Sequence, residues 1–302
     1  MTADADGASR FLQARAPSRV RDWVTLVKPE IALLVVLSSL AGYALGSPAG
    51  ADALTLIGLL VGVALTAAGG GMLNHVIERH HDAGMHRTAT RPLPSGRIAA
   101  RTANGVGVGL VLAGIGLLCP TTNWATASLA IATVILYLYV YTPLKRRTPL
   151  NTAVGTLPGA LPALGGYVAA TGTFGAAGWA AFALLVFWQM PHFLSLAWMY
   201  RKDYARGGFA MSTKTDETGR PTATRVVVYT VLTIAASLAP VWTNGFGWLY
   251  AASMVALGVL MLRPAVAFAR DRSNPNAKAV LKASVLYVML VVPVVAVFAW
   301  AG

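Results

Sequence analysis

The sequence has few charged residues, and acidic residues are the rarer kind. Only 12% of its 302 residues are charged, whereas a soluble domain carries about 25%. Lys and Arg number 24 against 11 Asp and Glu, which gives a formal net charge of +13. With 56% hydrophobic residues, this composition excludes an ordinary water-soluble surface and indicates an integral membrane protein.

Cysteine is almost absent, and the sequence does not open with a secretory signal. Cys119 is the only cysteine, which excludes an internal disulfide framework and a cysteine-based metal site. The polar N-terminal segment lacks the apolar stretch of a signal peptide. We therefore expect residues 1–22 to form a disordered cytoplasmic tail, and residues 23–302 to form a single transmembrane domain.

The sequence contains long runs of apolar residues. A helix needs about 20 mostly apolar residues to cross a bilayer, so we predict an all-α integral membrane protein with about nine spans. The predicted spans lie near 29–46, 53–77, 103–119, 123–142, 150–170, 175–199, 222–241, 245–262 and 279–300. The second contains Gly69, Gly70 and Gly71, and the fifth Gly155, Gly159, Gly165 and Gly166, which favours close helix packing.

The basic residues alternate between the two sides of these spans. All 24 Lys and Arg lie in the N-terminal segment or at the loops 2–3, 4–5, 6–7 and 8–9. The other loops and the C-terminus have none. By the positive-inside rule the N-terminus is cytoplasmic. Because the basic residues flank membrane spans in this way, we expect no nucleic-acid partner.

The second span ends in a column of oxygen-bearing side chains. Asn74, Glu78 and Asp82 are four residues apart and share one face of a helix. Carboxylates suit Mg²⁺, which binds one or two of them together with substrate phosphates. Arg87 and Arg91 follow, and guanidinium groups grip phosphate oxygens. The spacing alone equally allows simple ion pairs on a solvated face.

Histidines crowd the same exit. They are His75, His80, His81 and His86. Their spacing lacks a closed set of zinc ligands, so we interpret them as interfacial residues rather than as a dedicated metal site.

The sixth span ends with a second group of polar residues. Gln189 and His192 flank Pro191 inside the apolar run, which favours either a structural hydrogen bond at a kink or a substrate contact. Arg201, Lys202 and Asp203 follow at its exit. If spans one to four and five to eight are related halves, the exits at Glu78 and Asp203 would face each other.

The connection between spans four and five is basic. It contains Lys145, Arg146 and Arg147, and by charge alone it is best interpreted as a topology anchor. Asn151 opens the fifth span.

Together these segments resemble the signatures of the UbiA-type prenyltransferases, and within that superfamily the protoheme IX farnesyltransferases. The resemblance covers roughly residues 23–300. Its stretches are Lys28-Pro29-Glu30, Asn74-x3-Glu78-x3-Asp82 continuing to Arg97, Tyr141-Thr142-Pro143-Leu144-Lys145 continuing to Asn151, and Trp188-Gln189-Met190-Pro191-His192-Phe193 continuing to Tyr204.

The resemblance implies nine helices around a central cavity and Mg²⁺-dependent transfer of a farnesyl group from farnesyl diphosphate to a vinyl group of haem B, giving haem O. Haem B is then a substrate rather than a cofactor. The implied location is the cytoplasmic (inner) membrane of a bacterium, with the product passed to a haem A synthase or a terminal oxidase assembly.

The resemblance also assigns residues to roles. The metal-binding and catalytic set is Asn74, Glu78, Asp82 and Asp203; the diphosphate set is Arg87, Arg91, Lys145, Arg201 and Lys202; the haem set is His192, Gln189, Tyr141 and Asn151. His192 is the candidate axial ligand.

Two departures from the family pattern bear on the site. Glu78 stands where Asp is common, which keeps a carboxylate with a longer reach. Residues 209–215 replace a run that commonly resembles Pro-Met-Leu-Pro, so a lid there would differ. Rival functions are another UbiA-type enzyme that uses a quinone precursor or chlorophyllide, and a transporter; charges at one face rather than at midplane argue against a transporter.

Overall fold

The structure, a computed structural model, describes residues 19–301 apart from the side chain of Arg19. Within that range nine helices are long and apolar enough to cross a membrane, which confirms the predicted spans. They are span 1 (Pro29–Gly46), span 2 (Ala53–Asp82), span 3 (Ala100–Thr121), span 4 (Trp124–Arg147), span 5 (Asn151–Thr171), span 6 (Ala176–Met199), span 7 (Arg220–Thr243), span 8 (Trp248–Arg270) and span 9 (Asn274–Trp300). No strand occurs in the described part of the chain.

A short helix, Arg19–Val27, precedes span 1. Residues 1–18 of the predicted tail lie outside the described residues, and its last four residues, 19–22, belong to this helix. The helix is held because Arg97 donates to both oxygens of Asp22 at 3.0–3.2 Å. Leu26, one turn later, is fully buried.

Spans 2 and 4 extend beyond their predicted cytoplasmic ends. Span 2 continues to Asp82, so that Asn74, Glu78 and Asp82 all lie on one continuous helix. Span 4 continues to Arg147, so the basic residues predicted for a connecting segment are helical. Basic side chains in a last turn favour such extensions, because they offset the partial negative charge of the terminal carbonyls.

Small residues bring the spans around the cavity into close contact. A side chain at Gly42 would overlap the carbonyl of Ala163, and one at Gly166 would overlap the carbonyl of Ser39. Spans 1 and 5 therefore approach backbone to backbone, as the glycine-rich fifth span predicted. Gly165, by contrast, meets only the edge of a leucine side chain.

Large aromatic residues mark the end of the bundle that has no basic residues. Trp124, Trp242 and Trp248 are each more than three-quarters exposed, and they lie at the loops that carry no Lys or Arg. Tryptophan is enriched where a protein crosses the membrane–water interface. This arrangement supports a membrane boundary at that end of the spans.

Candidate active site

Spans 1, 2, 4, 5 and 6 surround a cavity of about 370 Å³ that is open at its mouth. Its wall is mainly apolar. The larger polar side chains that line it are Lys28, Tyr137, Tyr141, Lys145, Gln189, His192 and Tyr204. Pockets for small ligands occupy roughly 300–1000 Å³, so this cavity has the size of a ligand site.

Two helical columns face each other at the basic end of the cavity. Asn74, Glu78 and Asp82 lie on span 2, and Tyr137, Tyr141 and Lys145 lie on span 4. Span 4 contains a π-helical segment, Leu136–Tyr141. Such segments are rare and occur frequently at functional sites. Tyr137 and Tyr141 stack with ring centroids 6.0 Å apart.

Asn74 is held between two other segments of the chain. Its amide donates to Thr142 Oγ1 at 3.0 Å, and its carbonyl oxygen accepts from Lys28 Nζ at 2.7 Å. Lys28 also lies 3.4 Å from the hydroxyl of Tyr137. Asn74 thereby connects Lys28, just before span 1, to Thr142, the residue that follows the π-helical segment of span 4.

Lys28 is a site residue that the sequence analysis did not select. It occupies the left-handed region at φ 53°, immediately before Pro29 begins span 1. This backbone turn points the side chain to the cavity, and burial lowers the pKa of its ammonium to about 7. The available signal was a lysine at the start of an apolar helix, but its partner Asn74 is too far along the sequence for spacing to reveal.

Each carboxylate on span 2 is paired with a base from elsewhere. Lys145 Nζ donates to Glu78 Oε1 at 2.8 Å, and Arg91 donates to Asp82 Oδ2 at 2.9 Å. Glu78 is 8% exposed and Asp82 is 1% exposed. Both carboxylates are therefore in ion pairs and buried, whereas the Arg91 side chain is partly exposed.

The segment that follows span 2 contacts the exit of span 6 at Asp203. Asp203 Oδ1 accepts the backbone N–H of His86 at 3.0 Å, and the Arg87 side chain lies 3.6 Å from Asp203 Oδ2. The guanidinium of Arg87 also packs over the rings of Tyr200 and Tyr204, at 5.1 and 4.6 Å. The segment after span 2 is thus fastened to the exit of span 6.

Three predicted site residues make their contacts elsewhere. Arg201 packs on Trp198 and lies 3.4 Å from Asn274, away from the acids. Lys202 is exposed. Asn151 is fully buried and donates to the carbonyls of Thr148 and Ala210, so it ties the segment after Asp203 to span 5 instead of lining the cavity. These three residues are next to predicted site residues in the sequence, but their side chains do not point to the site.

Gln189 and His192 both line the cavity, and each is hydrogen-bonded to a neighbouring span. Gln189 is buried and donates to the carbonyls of Thr156 and Leu185, each at 3.0 Å, which is a structural role between spans 5 and 6. His192 lines the cavity, and its Nδ1 lies 2.9 Å from Ser284 Oγ. Span 6 runs through Pro191 as one helix.

The donor groups suit a hard cation, although they are not gathered into one cluster. Within residues 19–301 no three His, Cys, Asp or Glu side chains converge on a common point. Each acid is turned to its own base instead. The oxygen donors Asn74, Glu78 and Asp82 are nonetheless the type that Mg²⁺ takes together with phosphate oxygens.

Comparison with known proteins agrees with this architecture. Residues 35–301 match the model of the UbiA prenyltransferase family. The chain is 53% identical to a protoheme IX farnesyltransferase from Salinibacter ruber over 88% of this chain and 94% of that protein. It is 41% identical to one from Solibacter usitatus, over 90% and 96% of the two chains.

Solved structures share the fold at lower identity. A structure of digeranylgeranylglyceryl phosphate synthase superposes with a TM-score of 0.76 at 16% identity, covering 95% of this chain and all of that one. A UbiA homologue from Archaeoglobus fulgidus bound to GPP and Mg²⁺ superposes with a TM-score of 0.62 at 17% identity, covering 91% and 99%. The chain therefore belongs to the UbiA prenyltransferase family.

Proposed function

We propose that this chain transfers the farnesyl group of farnesyl diphosphate to a vinyl group of haem B, forming haem O. The observation that carries the proposal is one mainly apolar cavity whose wall includes Lys28 and Lys145, which are hydrogen-bonded to the buried residues Asn74 and Glu78 of span 2. The names of the relatives from Salinibacter ruber and Solibacter usitatus support haem B as the acceptor. A prenyl diphosphate with Mg²⁺ in a protein of the same fold supports the donor.

The charged end of the cavity fits a metal-bound diphosphate through an exchange of partners. Lys28, Lys145, Arg87 and Arg91 would take the phosphate oxygens, and Asn74, Glu78 and Asp82 would be released to hold Mg²⁺. Asp203 remains the proposed ligand from the other exit. Bound Mg²⁺ would supply a positive charge that stabilises the leaving diphosphate.

The residues of the chain then favour breaking the allylic carbon–oxygen bond. The electron pair of that bond leaves with the diphosphate, where Lys28 and Lys145 stabilise the new negative charge. The apolar wall holds the farnesyl chain and keeps bulk water from the carbocation. The rings of Tyr137 and Tyr141 line the cavity next to the two lysines, and an aromatic face stabilises a cation.

In the second step the acceptor, haem B, reacts with the farnesyl cation. The terminal vinyl carbon of haem B bonds to the farnesyl carbon, which leaves a cation on the neighbouring carbon. Water adds there and loses a proton, so the products are a hydroxyethyl-farnesyl haem and diphosphate. His192 is the proposed contact for the haem, since its imidazole lies on the cavity wall.

Mass spectrometry of the products tests the acceptor. The purified full-length protein would be incubated in lipid nanodiscs with Mg²⁺, farnesyl diphosphate and either haem B, a hydroxybenzoate quinone precursor or chlorophyllide. We expect one product, a haem that has gained one farnesyl group and one hydroxyl. Prenylation of either rival acceptor, with none of haem, would refute the proposal.

We also propose that the protein resides in a bacterial cytoplasmic membrane with its N-terminus inside. The single native cysteine makes this measurable: in a Cys119→Ser background, Ser95→Cys and Thr173→Cys place one thiol on exposed residues of opposite loops. A membrane-impermeant maleimide added to spheroplasts should label only Thr173→Cys. Labelling of Ser95→Cys alone would reverse the orientation.

A further inference from the structure

Span 9 contributes one buried hydroxyl beside the cavity, that of Ser284. Its Oγ lies 2.9 Å from His192 Nδ1, and its backbone carbonyl accepts from Trp188 Nε1 at 2.7 Å. Ser284 is fully buried. Two hydrogen bonds, one helical turn apart on span 6, therefore fix that helix and the imidazole against span 9.

The hydrogen-bond pattern around Ser284 favours one tautomer of His192. The hydroxyl of Ser284 has one hydrogen, and it donates that hydrogen to the carbonyl of Leu281 at 2.8 Å. Ser284 Oγ can then only accept from His192, so Nδ1 carries the hydrogen. The neutral ring is left with an unprotonated Nε2.

The other ring nitrogen of His192, Nε2, has no hydrogen-bond partner among the described residues. Among the described residues, the buried side-chain atoms without a partner are His75 Nε2, Ser212 Oγ and Tyr287 OH, so Nε2 of His192 is not sealed inside the protein. Because His192 lines the cavity, this lone pair is available to a molecule within it.

We propose that Ser284 is a positioning residue that presents Nε2 of His192 as an axial ligand to the iron of the haem substrate. The inference rests on the proposed function, because haem must enter this cavity. Neutral imidazole nitrogen is the commonest metal ligand, and the hydrogen bond at its other nitrogen selects the tautomer and fixes the ring.

The packing around the imidazole supports the same role. The ring of Trp188 lies 5.6 Å from that of His192 at an interplanar angle of 33°, and Phe193 lies 5.7 Å away on an edge. With Nδ1 bonded and both neighbours in contact, the ring has little freedom to turn. Ligation would fix one point of the macrocycle and limit which edge approaches the prenyl carbon.

Titration with ferric haem B, without farnesyl diphosphate, tests the inference separately from turnover. The full-length protein in nanodiscs would be compared with Ser284→Ala, Ser284→Thr and Ser237→Ala by optical and electron paramagnetic resonance spectra. Ser237 is a matched control: it is also fully buried, its Oγ donates to a carbonyl three residues earlier, and its own carbonyl accepts from Tyr250 OH at 2.9 Å.

We expect Ser284→Ala to weaken haem binding by about 10-fold or more, the usual loss when the partner of a ligating histidine is removed. Its nitrogen-ligation spectrum should also change, whereas Ser284→Thr and Ser237→Ala should match the unaltered chain. His192→Gly should lose nitrogen ligation and regain it with added imidazole.

Three results would overturn the inference: an unchanged spectrum and affinity in Ser284→Ala, an equal loss in Ser237→Ala, or nitrogen ligation that persists in His192→Gly without imidazole. Failure of the proposed function looks different. In that case the unaltered chain would ligate haem through His192, with dependence on Ser284, yet yield no farnesylated haem.

Discussion

The contribution of the Glu78–Lys145 ion pair to stability can be distinguished from its contribution to turnover. This requires changing each residue alone and then both together. The pair is 2.8 Å long, and its side chains are only 10% and 17% exposed. Lys145→Gln would leave the Glu78 carboxylate buried without its base, which costs about 3–5 kcal/mol in the free energy of unfolding. Glu78→Gln should cost a similar amount by stranding the ammonium.

The double variant Glu78→Gln/Lys145→Gln removes both charges, so its free energy of unfolding should return to within about 1 kcal/mol of the unaltered chain. Turnover should not return with it. A group that stabilises charge developing on a leaving group contributes about 10²–10³-fold to the rate, and the double variant lacks Lys145.

The assay pairs unfolding by SDS titration in mixed micelles with the rate of haem O formation from farnesyl diphosphate. The Asp22–Arg97 pair is the matched control, because it is also a short, partly buried ion pair but lies outside the cavity lining. Asp22→Asn/Arg97→Gln should recover stability and keep turnover. If Glu78→Gln/Lys145→Gln regained stability and turnover together, the pair would be structural only and our reasoning would fail.

Three further predictions follow from the site and the packing. Asp82→Ala should abolish turnover, whereas Asp52→Ala, at the opposite end of the same helix, should lose only an N-cap worth about 1 kcal/mol and keep turnover; equal rates of haem O formation in the two would remove Asp82 from the site. Lys28→Met should raise the KM for farnesyl diphosphate with no change in haem affinity, measured by initial rates and haem titration, and an unchanged KM would exclude Lys28 from diphosphate binding. Gly166→Leu should lower the thermal unfolding midpoint, because its side chain would overlap the backbone of span 1; a midpoint equal to that of Gly105→Leu, where the space is open, would contradict the packing.

The spans and their order could be predicted from the sequence because lipid imposes a simple rule on length and polarity. The column Asn74, Glu78 and Asp82 was also accessible, since a helical period places those residues on one face. These features depend only on local periodicity. The alternation of basic residues could also be predicted, because it depends only on which of the loops between apolar runs contain Lys and Arg.

Partner identities could not be predicted in this way. Lys28 reaches Asn74 through a left-handed backbone turn, and Arg201 turns to Trp198 although Asp203 lies two residues later. Periodicity says which residues share a face but not which other helix that face meets. The π-helical segment on span 4 adds to this, because it shifts the register of the residues that follow Leu136.

Every acid of the site forms an ion pair with a basic residue of the same chain, and this affects how a metal ion and a diphosphate bind. A divalent ion alone would have to pull Glu78 from Lys145 and leave a lone ammonium in a low-dielectric pocket, and a diphosphate alone would strand the carboxylate in the same way. Each ligand removes the penalty that the other incurs. The two should accordingly bind with strong positive cooperativity, reciprocal in size, and the vacant pocket should ignore free cations.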